Sequence, residues 1–200
     1  MNTKEKILWE ALNLFSQRGY HAVSVRDIAG AVGIRESSLY NHFSGKKEIF
    51  QGVVDICWRK AEEYYHSHGL PFSPQEDFTP FQQKGPQLES SLLEVFAYFF
   101  QDPWNTRFRR LLILSQFDDP QAALLYRRLY CQYPLEIQTA VFAGLMDRGI
   151  FRREDPRALA MEFYGGVFLL LHLCPAWEEA KPKLLEHIRL FQRAYCSPSA

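Results

Sequence analysis

The sequence has no CxxC pair, no surplus of either charge, no alternating strand pattern and no repeat at a fixed period. Each absence removes a class of protein. The four cysteines, Cys57, Cys131, Cys174 and Cys196, stand apart, each in or beside a helix-like segment. That usage fits free thiols in a reducing cytoplasm, with a disulfide or redox sensor as the alternative, and it lacks the spacing of a zinc site. Lys plus Arg number 23 and Asp plus Glu number 23, so the net charge announces no polyanionic partner. Up to Glu48 the balance tips slightly, with seven bases (Lys4, Lys6, Arg18, Arg26, Arg35, Lys46, Lys47) against five acids (Glu5, Glu10, Asp27, Glu36, Glu48). No nucleophile–base arrangement, metal-ligand spacing or phosphate loop is found, and Glu162 and His172 read as isolated, which speaks against an enzyme. MNTKEKILWEAL carries charges inside its apolar pattern and is not read as a signal peptide. The longest apolar stretch, ALAMEFYGGVFLLLHLC at 158–174, contains Glu162 and His172 and falls short of the roughly 20 residues that cross a bilayer. It reads as a helix buried within protein, and no membrane partner is expected.

What is present is helix. Ile7, Leu8, Ala11, Leu12 and Phe15 form one stripe at i, i+3, i+4 and i+7 spacing over residues 3–18, with Thr3 as the expected cap, Arg18 at the C-terminal end and Gly19 as the stop. Ser24, with Asp27 three residues on, opens a second helix that runs to Val32 and stops at Gly33. A short helix over 34–43 follows, then a long one from Lys46 to about His68. Residues 69–86 hold four prolines and no steady period; they read as a linker, or as an ordered flap on Phe72, Phe78 and Phe81. Helical periodicity resumes at Leu88. Asp-Pro pairs at 102–103, 119–120 and 155–156 open further helices, the second bent near Pro134, and a last helix spans about 181–195 with Pro182 in its first turn.

Residues 24–43, SVRDIAGAVGIRESSLYNHF, carry the chemistry. Ala29 is small where two helices cross, Gly33 supplies the left-handed turn, and Ile28, Val32, Ile34 and Leu39 are apolar where they meet. This is helix-turn-helix spacing, which presents a second helix to the DNA major groove. It also explains an oddity. IRESSLYNHF places Ser37, Ser38, Asn41 and His42 opposite Leu39 and Phe43. Those are weak helix formers with good hydrogen-bonding groups, suited to base edges and phosphates. Lys46 then lies at the start of the next helix, where free N–H groups and a cation together hold a phosphate.

The first helix ending at Gly19-Tyr20, Ser24 through Ala29, Gly33, and LYNHF followed by Lys46 resemble the TetR family of bacterial transcriptional regulators. The resemblance is dense over residues 3–50 and architectural beyond. It implies a homodimer on palindromic double-stranded operator DNA, released when a small molecule occupies the C-terminal domain. By it, Tyr40, His42 and Lys46 are phosphate contacts, and Arg26, Glu36, Ser37, Ser38 and Asn41 face bases or adjacent phosphates; Ser24 and Arg35 complete the expected DNA-facing set. Val25 stands where a threonine is common, so one phosphate contact is in doubt. Glu36 either accepts from a cytosine amino group or favours its own helix N-terminus.

Beyond residue 50 the aromatic rings are the main signal. Trp58, Tyr64, Phe96, Phe99, Phe100, Trp104, Phe108, Phe117, Tyr126 and Phe142 either fill a core or line a pocket for an apolar or aromatic effector. His66 and His68 do not share a helix face and read as solvated, and no metal or cofactor is expected. Gly165-Gly166 weakens a helix and calls for a close neighbour. That neighbour is a second subunit, with Phe168, Leu169, Leu184, Ile188 and Phe191 buried against it, or the same chain. The expected fold is all-α: an N-terminal three-helix helix-turn-helix domain at 1–47 and a helical ligand-binding and dimerisation domain at 48–200. The operator, the effector, the regulated genes and the sign of regulation are not legible.

Overall fold

A computed structural model describes residues 2–81 and 85–197; the part of the 69–86 linker at 82–84 lies outside the described residues. The elements are α1 (Thr3–Arg18), α2 (Val25–Val32), α3 (Glu36–Tyr40), α4 (Lys46–Ser67), a 3-10 turn (Thr79–Phe81), α5 (Pro86–Gln101), α6 (Pro103–Ser115), α7 (Pro120–Arg127), a π-helical turn (Arg128–Gln132), α8 (Tyr133–Asp147), α9 (Pro156–Leu173) and α10 (Trp177–Tyr195). Among the described residues no strand forms, only an isolated bridge between Phe151 and Cys196. No described helix is long and apolar enough to cross a membrane.

Four sequence expectations shift. Asn2, not Thr3, caps α1: its side chain accepts from the Glu5 N–H at 2.8 Å. The short helix covers 36–40 rather than 34–43, and Asn41 and His42 lie in a turn. The bend near Pro134 is a π-helical turn, which leaves Pro134 in the first turn of α8, where its missing N–H costs nothing. The last helix starts earlier, at Trp177, so Pro182 lies inside it. The carbonyl one turn back, on exposed Glu178, is left to water.

The chain packs as two compact units, residues 1–61 with 103–127 and residues 62–102 with 128–200. The expected boundary at 47/48 falls instead within the first turn of α4. The first unit extends because α6 packs on α1. The Trp9 and Trp104 rings meet at 4.9 Å, Arg107 stands over Trp9 at 4.6 Å and Lys60 over Trp104 at 5.2 Å. Lys60 also pairs with Glu5 at 3.3 Å, so one aromatic–cation stack ties α1, α4 and α6 together. Ile7, Leu12, Phe15, Ile28, Leu39, Ile49, Leu111 and Leu112 are fully buried in this unit. Each such side chain contributes about 1.5–3 kcal/mol by leaving water.

The second unit buries α5, α8, α9 and α10 around Phe142, Phe151, Phe163 and Phe191, whose rings lie 5.0–6.2 Å apart. Tyrosine hydroxyls fasten the periphery: Tyr164 donates to the Tyr130 carbonyl at 2.7 Å and Tyr133 to the Phe72 carbonyl at 2.7 Å. The second bond, with Phe72 packed on Tyr65 and Phe81 buried, makes the described part of the 69–86 segment an ordered flap. Tyr65 donates to the Val95 carbonyl at 3.2 Å, and burial pushes its phenol far above the ordinary range. Glu162 is not isolated: it accepts from the Tyr195 hydroxyl at 2.6 Å.

Candidate nucleic-acid interface and effector cavity

The turn between α2 and α3 is built by short-range chemistry. Ser24 and Asp27 form a complete capping box: the Ser24 hydroxyl and N–H both donate to the Asp27 carboxylate, at 2.6 and 2.8 Å, and the hydroxyl accepts from the Asp27 N–H at 3.1 Å. The Ser24 hydroxyl bond, then its backbone bond, holds the Asp27 carboxyl below the usual carboxylate range, with Arg18 and Arg26 adding a smaller pull. Ser24 is therefore placed as a cap, with both donors engaged. At the other end Gly33 has φ 80, and its N–H reaches the Ala29 and Gly30 carbonyls. A side chain at that φ is strained, which fixes glycine there.

α3 has five residues, too few to be stable alone. Leu39 and Phe43, 0% and 2% exposed, hold it from below. Above them Glu36, Ser37, Tyr40, Asn41 and His42 are exposed and Ser38 is half-buried; Arg26 and Arg35 are exposed beside them. Among the described residues none of these side chains is hydrogen-bonded within the protein. The face offers hydroxyls, an amide, an imidazole and two guanidinium groups to whatever approaches.

Lys46 behaves differently. Its ammonium donates to the Tyr20 carbonyl at 3.0 Å and the Val23 carbonyl at 2.8 Å, and stands 4.4 Å from the Tyr20 ring centroid. Burial lowers its pKa. Lys46 thus braces the 20–23 loop and keeps one N–H for another acceptor. The N-terminus of α4 is occupied too: the Glu48 carboxylate accepts from the Ser44 N–H at 2.6 Å, a bond that lowers its pKa. Sequence reasoning missed two further lysines. Lys6 donates to the Val32 carbonyl at 2.9 Å, at the end of α2, and Lys4 stands over the Phe43 ring at 5.2 Å. Their place on the outer side of α1 was the available signal.

In the second unit a cavity of about 60 Å³ opens among residues of α5, α8, α9 and α10. Of the ten rings expected in a core or a pocket, Phe96 and Phe142 line it. Trp58, Trp104, Phe108, Phe117 and Tyr126 belong to the first unit, where Trp104, Phe108 and Tyr126 are core and Phe117 is 86% exposed. Tyr64 stacks on His68 at 4.2 Å, Phe99 packs on Tyr130 at 6.3 Å and Phe100 on Trp177 at 5.6 Å. The cavity's other rings come from Phe81, Phe151, Phe163 and Phe191. Composition does not distinguish a ring beside a void from one in solid core. His66 pairs with Glu76 at 3.1 Å.

The expected dimer residues also separate. A Cβ at Gly166 would lie 2.7 Å from the His187 ring of the same chain, which stacks on Phe163 and meets the Phe163 carbonyl at 2.9 Å. Gly166 is small for His187. Leu184, Ile188 and Phe191 are 1%, 1% and 6% exposed within their own unit. Phe168 is half-buried. Gly165 has nothing within 4 Å, and with Met161, Leu169 and Leu173 it makes an exposed stripe at i+4 spacing on α9, the three side chains being 61–62% exposed. His172 lies beside that stripe, exposed and bonded to the Phe168 carbonyl at 2.8 Å.

Comparison with known proteins fits this geometry. Residues 7–53 match the sequence pattern of the bacterial regulatory proteins of the tetR family. The biofilm operon icaADBC HTH-type negative transcriptional regulator IcaR of Staphylococcus aureus is 44% identical over 55 residues, 28% of this chain and 30% of that protein. The chain therefore spans about a third of the length of the curated relatives it matches. Over nearly its full length it is similar to a TetR-family regulator from Marinobacter aquaeolei VT8 (TM-score 0.68, 21% identity, 99% of this chain and 93% of that one). It is likewise similar to SmeT in complex with triclosan (TM-score 0.71, 17% identity, 100% of this chain and 94% of that one). SmeT is the repressor of the Stenotrophomonas maltophilia multidrug efflux pump SmeDEF. Residues 7–53 thus carry the sequence pattern of the tetR family of bacterial regulatory proteins, and the chain over nearly its full length has the fold of solved structures described as members of that family.

Proposed function

We propose that the chain is a homodimeric, ligand-responsive repressor that binds palindromic operator DNA and leaves it when a small apolar or aromatic effector occupies the second unit. The observation that carries this reading is the α3 face: polar side chains without protein partners, held up by buried Leu39 and Phe43. Ser37, Ser38 and Asn41 supply base contacts, and Arg26, Arg35, Tyr40 and His42 supply phosphate contacts, with Glu36 at the N-terminus of α3. Lys46 gives its remaining N–H to a phosphate while two carbonyls hold it in place. The dimer forms along Met161, Gly165, Leu169 and Leu173 of α9 with Leu190 of α10, where exposed apolar surface and a glycine allow a second copy to approach closely. The repressor sign follows IcaR and SmeT, and the effector follows the ligand-bound state of SmeT. The α4 helix, continuous over Lys46–Ser67, carries the effector signal, because two recognition helices about 34 Å apart no longer fit successive major grooves once tilted.

The test is selection from random DNA followed by titration across salt. A palindromic site is expected. Asn41→Ala or Ser37→Ala should change base preference at particular positions. Arg26→Ala should lower affinity uniformly and flatten log K against log salt by about one unit. Recovery of no enriched site defeats the reading.

A further inference from the structure

The first turns of α1 and α4 hold four lysines, Lys4 and Lys6 in one and Lys46 and Lys47 in the other. A cation is disfavoured there, because the N-terminal end of a helix carries partial positive charge. Two of the four are compensated inside the protein. Lys6 donates to the Val32 carbonyl, and Lys46 to the Tyr20 and Val23 carbonyls, so both brace the helix-turn-helix. Lys4 and Lys47 have no such bond. Both are exposed, and among the described residues neither ammonium has a hydrogen-bond acceptor or a carboxylate at ion-pair distance.

Their surroundings put them beside the α3 face. Lys4 stands over the Phe43 ring, 5.2 Å from its centroid, and Phe43 follows Asn41 and His42 in the turn after α3. Lys47 comes after the same turn, exposed in the first turn of α4. Glu48 links the two helix starts: its pKa is lowered chiefly by the Ser44 N–H, with Lys4 adding a smaller pull from α1. The neighbouring acids do not cancel the lysines. Glu48 is bonded to the Ser44 N–H at 2.6 Å, and Glu5 pairs with Lys60 at 3.3 Å. We infer that Lys4 and Lys47 are further DNA contacts, one from α1 and one from α4, which bind backbone phosphates beside the α3 face and carry no base preference. A phosphate supplies the acceptor that each ammonium lacks and offsets the cost of a cation at a helix start. A lysine on its flexible stem meets a phosphate as a point charge, which positions DNA without reading it. Solubility alone would be served as well by lysines elsewhere on these helices. This assignment rests on the proposed DNA-binding reading and adds two contacts per subunit to it.

The experiment measures affinity of the full chain for its selected site, and for a random-sequence duplex of equal length, over a series of salt concentrations. Lys4→Gln and Lys47→Gln are each expected to flatten log K against log salt by about 0.9 unit per subunit, and the double variant by about twice that, on both duplexes. Lys4→Arg and Lys47→Arg keep the charge and should keep the wild-type slope. The selected sequence should be the same for every variant. The urea midpoint of Lys47→Gln should be unchanged or slightly raised, because a cation leaves the first turn of α4. Ethylating single operator phosphates locates the contact: at one position the modification should weaken the wild-type chain and leave Lys47→Gln unaffected. An unchanged slope in the double variant, a slope lost in the arginine variants too, an altered selected sequence, or no phosphate with that difference overturns the assignment and leaves the proposed function standing. A wild-type chain that binds neither duplex removes both.

Discussion

The exposed face of α3 and the core of the second unit both hold hydrogen-bonding groups without a protein partner, and the free-energy consequences differ. Ser37, Asn41 and His42 face solvent, where water completes their bonds and the unbound state carries no penalty. The Gln138 and Gln192 atoms are shut off from solvent, where an unmade bond costs about 1–3 kcal/mol. A face of the first kind waits without strain for a large, charged, wet partner. Groups of the second kind cost stability in the folded chain, and the apolar lining of the void beside them offers neither atom to a ligand.

The comparison depends on what supports each region. Leu39 is fully buried beneath a helix that cannot stand alone, so Leu39→Ala should have the largest effect, about 2–5 kcal/mol in urea denaturation, with loss of operator binding. A loss under about 1 kcal/mol would mean that α3 is held by something other than its buried side. Next comes Gly166→Leu. It must displace the His187 ring and should cost about 1–3 kcal/mol while leaving the oligomeric state unchanged. Leu169→Asp on the exposed stripe should do the reverse, giving monomers in sedimentation with little change in the stability of each unit. An exchange of these two outcomes would return Gly166 to the subunit interface.

The same contrast shows what was readable beforehand. The cap at Ser24, the stop at Gly33 and the inward set of Ile28, Leu39 and Phe43 were legible because each is decided within a few residues by φ preference, side-chain reach or helical period. The glycine pair was half legible. Helix propensity said that a close neighbour was needed; it could not say that the neighbour of Gly166 is His187, 21 positions on. Lys46 shows the same limit: its place at the start of α4 was evident, its bonds to the Tyr20 and Val23 carbonyls were not. The compact units differ from the expected division at 47/48 for this reason as well. Trp104 and Arg107 join α6 to α1 through contacts that span nearly a hundred residues. The cavity was the least legible feature, since a void depends on how every neighbouring ring is turned.

A smaller effect separates exposed from buried unmet bonds directly. Gln138→Leu removes a buried acceptor without a partner and keeps the volume, so the empty protein should gain up to about 1 kcal/mol and melt about 2–4 °C higher. Ser37→Ala removes an exposed hydroxyl and should change stability by no more than about 0.5 kcal/mol. Equal shifts in the two variants would remove the distinction between the regions.

The smallest effect is with pH. Asp27 is held below the usual carboxylate range chiefly by the Ser24 hydroxyl, and Glu48 chiefly by the Ser44 N–H. A lowered folded-state pKa means that the unfolded chain takes up the proton first. Each carboxylate therefore contributes its stabilisation in full above the ordinary range near pH 4, and loses it as pH falls through the lower folded-state value. Both groups bond at helix starts of the helix-turn-helix segment, whereas no described residue lining the cavity titrates in this range. Acidification from about pH 6 to pH 3 should therefore loosen α2 and the start of α4, seen as faster amide exchange there, before it alters affinity for a neutral ligand. Asp27→Asn should flatten the part of that response belonging to α2, because an amide at 27 still accepts from Ser24 but has no proton to take up. Unchanged pH dependence of α2 exchange in Asp27→Asn would show that the capping carboxylate is not what acid releases.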